Sequence, residues 1–433
     1  MIKTIFKNAH IIDPVQKINR VGNIIVDNKK ISEISFDKKK IKSNKNHRVI
    51  DCKKFILCPG FVDMKCHLRV PGDEHKENLS YASEAASSSG ITSLICMPNT
   101  NPIIDNVSIV ELLQRKARKE SHVKIYSTAS ITKKLKGKEL TEFGLLHEAG
   151  ALAFTDAITS VDSSSVMYKA LKYASAFDLL LMQHPQEKEL SEGGAMTSGK
   201  LSTELGVKGI PIEAEVIQVE RDIRLAEMTN GKLHFLNIST GLALDAIQIA
   251  QKKGIKVTCS TSPNYFTLDE RDIKKWRTFA KLSPPLRDKK NLDLLKQGIA
   301  DNIISCITSD HAPHDTDSKR LPYEIASSGS IGFQSFLPLT LNIIKEKKLG
   351  LTKLVELLSS NPAKLLKLKA GNLKKGNDAD IVIFDPNKKI KLNSKIIKSK
   401  SKNFPYDNTT AYGEVLLTMV DGKIIFNNGK LFS

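Results

Sequence analysis

The stretch PGFVDMKCHLRVPG, residues 59–72, decides the fold. Its centre reads as a strand that delivers chemistry-bearing side chains to its end. Side chains alternate along a strand, so Asp63, Lys65 and His67 are expected on one face and Met64 and Cys66 on the other. Outward from it, ILCPGFVDMKCH is the first of eight short apolar segments, followed by ITSLICMP, VKIYSTAS, ALAFTD, DLLLMQH, KLHFLNIS, IKVTCSTS and IISCITSD, with helical patterns between them. Eight strands alternating with helices predict an α/β chain folded as a (β/α)8 TIM-type barrel over residues 58–369, with its site at the C-terminal strand ends. Residues 1–57 and 370–433 carry shorter alternating segments, which predicts one discontinuous flanking β domain built from both chain ends. Asp421 and Gly422 mark a hairpin turn there.

The 433 residues are 40% hydrophobic, enough for a large core and typical of a soluble globular chain. No apolar run approaches the roughly 20 residues that span a bilayer, and the opening MIKTIFKNAHIIDP breaks its apolar residues with Lys3, Lys7 and His10. A cytoplasmic protein without a membrane partner is expected. Cys52, Cys58, Cys66, Cys96, Cys259 and Cys306 form no C-x-x-C pair and fall in or near apolar runs, which predicts reduced, buried thiols. The formal charge of +19 comes from scattered lysines without aromatic interleaving. That pattern argues against a nucleic-acid partner, while a positive field favours small anionic substrates.

Polar residues close the strand segments: His67, Asn99, Asp156, His184, Asn237, Asn264 and Asp310. Core packing does not favour such a ring, so a pocket is the simpler reading. Imidazole and carboxylate side chains from several strands would suit a metal with one position open for water. Lys65, as a lysine with a reference pKa of about 10.4, carries an ammonium at neutral pH and cannot be a ligand in that set. Pairing of Lys65 with Asp310 would replace the cation and keep a buried carboxylate compensated. His234 has the opposite strand parity to Asn237 and is expected to pack behind the barrel.

The ordered series PGFVDMKCHLRVPG, CMPNTNP, ALAFTD, GGAMTSGKLSTELGVKGIPIEAE, LSPPLR, SDHAPH, NPAKLL and GNLKKGNDADIVIFD resembles the bacterial dihydroorotases of the amidohydrolase superfamily over nearly the whole chain. The resemblance implies a zinc-dependent barrel acting on cyclic amides, with dihydroorotate and carbamoyl aspartate as small-molecule ligands. It places the family's ligand positions on Lys65, His67, Asp156 with Ala157, His184, Asn237 and Asp310. Asp310 is also the implied catalytic proton shuttle. Arg69, Asn99 and His314 match the residues that bind the substrate carboxylate.

Against the family's usual His-x-His, Asp-Asp-Gly and His-Val-Ser, this chain has Lys-Cys-His, Asp-Ala-Ile and Asn-Ile-Ser. TSPNYF replaces a Pro-His-His run, and Ser283 stands where Asn commonly precedes Pro-Pro-Leu-Arg. His67, His184 and Asp310 remain as a residual set for one zinc. These departures resemble the metal-site-degenerate, dihydroorotase-like branch, which implies a non-catalytic subunit associated with aspartate carbamoyltransferase in an oligomer. The alternatives are an active dihydroorotase and another cyclic amidohydrolase, hydantoinase-like or allantoinase-like.

Overall fold

Eight short segments rich in β-branched and apolar residues form the inner sheet of the chain, seen in a computed structural model that describes residues 3–37, 47–406 and 408–432. They are β1 (Phe61–Cys66), β2 (Ile91–Cys96), β3 (Lys124–Ala129), β4 (Ala151–Phe154), β5 (Leu180–Gln183), β6 (Lys232–Phe235), β7 (Val257–Thr261) and β8 (Cys306–Ile307). The strands are parallel and lie side by side in chain order. The sheet closes where His311, just beyond β8, bridges Cys66 and its carbonyl accepts from the His67 N–H at 2.8 Å. This is the expected (β/α)8 barrel.

Five of the helices that follow barrel strands begin on side-chain caps. Asn78, Asn106, Ser163, Thr240 and Asp288 each accept from a backbone N–H in the first turn of the helix they precede. Each such cap stabilises its helix by about 1 kcal/mol. The helices cover a large apolar cluster that includes Phe61, Cys66, Leu94, Cys96, Phe154, Phe235 and Cys259. All six cysteines are buried and free.

Strict alternation fails in β1. Its register against β2 shifts between Asp63 and Cys66, an irregularity that re-aims side chains locally. Met64 consequently packs with Ile95, Met182 and Leu236, apart from the cluster that holds Cys66. No helix among the described residues is long and apolar enough to cross a membrane.

Both chain ends supply a nine-stranded outer sheet. Ile56–Pro59 joins the two contributions, running parallel to Lys3–Asp13 and antiparallel to Ile381–Leu392. The hairpin expected at Asp421–Gly422 is present, with Val420 opposite Lys423 and left-handed backbone at both turn residues (φ 47° and 74°). Glycine is required at the second position because a Cβ there would fall 1.9 Å from the Asn28 carbonyl oxygen. Most of the lysine-rich stretch 37–48 lies outside the described residues.

Between Ile381–Leu392 and the next strand, Thr409–Val420, the chain leaves the outer sheet and passes over the C-terminal end of the barrel. Segment Ser399–Tyr406 is largely buried there. Ser401 Oγ donates to the Lys76 carbonyl at 2.6 Å, the Lys400 N–H donates to Glu77 at 3.2 Å, and Tyr406 Oη donates to Asn264 Oδ1 at 2.8 Å. The strap thus packs on the loops that follow β1 and β7.

Candidate functional site

Lys65, on β1, and Asp310, just beyond β8, meet at the barrel mouth, with Nζ 2.8 Å from Oδ1. Asp63 lies alongside, accepting from the Ser309 N–H at 2.9 Å and from its hydroxyl. Burial pushes the Asp63 carboxyl up to about 7 against the pull of those bonds. The expected pairing of Lys65 with Asp310 is therefore present.

The other strand-end residues are engaged one by one. His67 Nδ1 lies 2.8 Å from Asn99 Oδ1; an amide oxygen only accepts, so Nδ1 carries the proton. Burial, with Arg69 and Lys65 nearby, holds this imidazole well below its ordinary pKa. His184 Nε2 is 3.3 Å from Ser283 Oγ, and burial together with the Lys65 charge pushes its pKa down to about 3. Asn237 accepts from Thr308 Oγ1 at 2.7 Å. Asp156 turns to Thr132, accepting from its N–H at 2.9 Å and from its hydroxyl, and burial raises its carboxyl to about 6. His184 Nδ1 and Asn237 Nδ2 are buried with no hydrogen-bond partner among the described residues.

Arg69 and His314 come together as a pair. Arg69 Nε donates to the Pro313 carbonyl at 3.0 Å, and its Nη2 lies 3.2 Å from His314 Nε2. His314 Nε2 is also 2.9 Å from the Ser328 carbonyl oxygen. A single nitrogen cannot donate to that oxygen and accept from the guanidinium, and a carbonyl only accepts. Nε2 therefore donates to Ser328, and His314 is not an acceptor for Arg69 Nη2. Burial and the Arg69 charge push His314 down to about 3, so it stays neutral beside the guanidinium.

Four site positions take left-handed backbone: Arg69 (φ 61°), Ala157 (58°), Asn237 (54°) and Asp310 (54°). Asn and Asp tolerate this region, whereas Ala and Arg adopt it at a cost of about 1–3 kcal/mol each, a pattern that clusters at functional sites. The frame beneath is braced by motif residues. Glu215 accepts from the N–H and hydroxyl groups of Ser239 and Thr240. Buried Arg287 donates to Ser239 Oγ, Thr197 Oγ1 and the Ile210 carbonyl, each at 3.1 Å.

This donor set does not fit the zinc that the resemblance implies. A catalytic zinc takes three protein ligands and one open position. Here an ammonium occupies one family ligand position, Ala157 offers no donor, and Asp310 is paired with Lys65. Among the described residues no group of three or more His, Cys, Asp or Glu side chains is placed to hold a metal ion.

Several contributing residues carried no signal at their own positions. Tyr265 lies close enough to Asp310 for the carboxylate to add, after burial, to the rise in its phenol pKa. Thr132, Thr308 and Ser309, each just beyond a strand end, satisfy Asp156, Asn237 and Asp63 respectively. His311 stacks on Phe333 at 3.7 Å between ring centroids, with Nε2 3.7 Å from Glu77. His234 lies between Leu233 and Phe235 of the outer cluster and bonds to Thr258 and Ser260 on β7, so it points into the barrel interior beneath the mouth and not behind the barrel as strand parity predicts.

Comparison with known proteins bears on this geometry. Residues 54–242 match the family model described as dihydro-orotase-like. A protein of Acetivibrio thermocellus named dihydroorotase is 39% identical over 422 residues, covering 97% of this chain and 98% of its own. One from Aquifex aeolicus with the same name is 40% identical over 428 residues, covering 99% and 100%. Among solved structures, the L-hydantoinase (dihydropyrimidinase) of Arthrobacter aurescens superposes with a TM-score of 0.89 at 23% identity, covering 100% of this chain and 98% of its own, which shows the shared fold.

Proposed function

The chain belongs to the dihydroorotase family, and on that premise we propose that it is a cytoplasmic, dihydroorotase-like protein of de novo pyrimidine biosynthesis. It takes dihydroorotate or N-carbamoyl-L-aspartate at the barrel mouth without a catalytic metal, and serves as a non-catalytic, oligomeric partner of aspartate carbamoyltransferase. One observation carries this reading: Lys65 Nζ sits 2.8 Å from Asp310 Oδ1. The carboxylate that would move a proton from attacking water to the leaving ring nitrogen is held by an ammonium instead.

The binding side of the site is supported by its chemistry. Arg69 offers a planar fork suited to a carboxylate. Asn237 Nδ2, without a partner, offers a donor for a ring or ureido carbonyl.

A second reading, an active dihydroorotase, is favoured by relatives of that name at 39–40% identity over nearly the whole chain. Metal analysis of the purified protein, a dihydroorotate hydrolysis assay and calorimetric titration separate the two. The expected result is less than one equivalent of zinc, no turnover and saturable binding of dihydroorotate. Stoichiometric zinc with turnover would establish the second reading. The partner is tested by co-purification from the native cell, where failure to recover the transferase would remove that part of the proposal.

A further inference from the structure

Asn403, on the strap that crosses the barrel mouth, is 2% exposed and spends its whole side chain on the loop after β8. Its Nδ2 donates to the Ala312 carbonyl at 3.0 Å and to the Gly329 carbonyl at 3.1 Å, and its Oδ1 accepts from the His314 N–H at 3.2 Å. That N–H belongs to the same peptide group as the Pro313 carbonyl, which accepts from Arg69 Nε at 3.0 Å. A peptide group is planar and rigid. Fixing its N–H therefore fixes the direction of its carbonyl, and with it the plane of the guanidinium. The strap's backbone adds a fourth bond, from the Ile331 N–H to the Asn403 carbonyl at 3.1 Å.

We propose that Asn403 is a positioning residue for Arg69, by which the terminal β domain sets the selectivity of the barrel for ligands that bear a carboxylate beside the ring. The inference rests on the reading of Arg69 as the carboxylate-binding residue. Asn403 touches no ligand; it acts through one peptide plane. A bidentate contact depends on the orientation of the guanidinium as much as on its charge, so loss of this brace weakens binding of the carboxylate and leaves contacts to the ring in place.

The test compares dihydroorotate with dihydrouracil, which has the same ring without the carboxylate, by calorimetric titration and competition against the full-length protein. Asn403→Ala is expected to shrink the preference for dihydroorotate about tenfold, the order of one charge-assisted hydrogen bond, with dihydrouracil affinity unchanged. Ser401→Ala, which loosens the strap only at Lys76, is expected to keep the preference. Equal weakening of both ligands by Asn403→Ala, or no change in the preference, overturns the proposal. Asn403→Ser is read in the same way if the alanine variant does not fold.

A ligand-independent measurement separates this inference from the reading beneath it. In arginine-15N-labelled protein, the Arg69 Nε–H, assigned by its loss in Arg69→Lys, is expected as a slowly exchanging resonance that Asn403→Ala abolishes. If native protein binds neither compound, the carboxylate-binding reading fails, and this resonance alone decides whether Asn403 positions Arg69. An unchanged resonance in Asn403→Ala refutes the positioning role.

Discussion

Lys65 and Asp310 form a buried ion pair at 2.8 Å, with side chains only 1% and 8% exposed. Both charges are out of water and each is the other's principal compensation. Lys65→Ala leaves a carboxylate buried without its cation, and the expected loss of stability is about 3–5 kcal/mol. Urea denaturation of the variant checks it. A midpoint equal to that of the native protein would mean that solvent, not Lys65, compensates Asp310.

Restoring imidazoles tests whether the metal site is lost only through its ligands. Lys65→His with Asn237→His adds two donors to His67, His184 and Asp310, and histidine is among the residues that tolerate the left-handed backbone at position 237 (φ 54°). Each single change is expected to do little for zinc affinity and the double change to raise it sharply, because ligands of one coordination shell couple. Metal content after dialysis is the readout, and additive effects would count against a shared site.

Asp156 supplies a pH dependence whose sign is fixed by its environment. Burial raises its carboxyl from 3.8 to about 6. Between those values the folded chain keeps a proton that the unfolded chain releases, so this group favours folding at acid pH, and its contribution is lost as pH rises through about 6. Asp156→Asn keeps an acceptor for the Thr132 N–H and removes the ionisation. The variant is expected to gain stability relative to the native protein between about pH 4 and about pH 7, by about 2–3 kcal/mol. Denaturation curves at the two pH values provide the check, and a constant difference between the proteins would contradict it.

Arg69→Lys retains the charge and discards the fork. Dihydroorotate binding is expected to weaken about 10- to 100-fold, measured by titration calorimetry. A change of less than about threefold would place the carboxylate elsewhere.

The barrel was legible because each strand segment is short, apolar and followed by a helical pattern: ALAFTD contains Ala151–Phe154, and ITSLICMP contains Ile91–Cys96. The pairing of Lys65 with Asp310 was legible as well, since a buried ammonium and a buried carboxylate at neighbouring strand ends have few other solutions. Strand parity gave no access to the register shift at Asp63–Cys66, which depends on the neighbouring strand. The hydroxyls of Thr132, Thr308 and Ser309 were illegible for the same reason, because alternation assigns a face without naming the partner across it. Asn403 lies in KIIKSKSKN, whose lysines read as a solvated face, although Ser399, Ser401 and Asn403 between them are buried.

The outer sheet binds together strands made early and strands made late in the synthesis of this chain. Lys3–Asp13 is joined to Ile381–Leu392 only through Ile56–Pro59, which lies between them, and the strap that completes the barrel mouth follows later still. A nascent chain emerges at about 5–20 residues per second. The early strands therefore stand with an unpaired edge while more than 300 residues are synthesised between Pro59 and Ile381. An exposed edge of this kind invites pairing with other chains. The Asn403 brace on the barrel mouth can form only once translation has passed that residue, and until Ile381–Leu392 is made the growing chain depends on whatever shields the open edge in the cell.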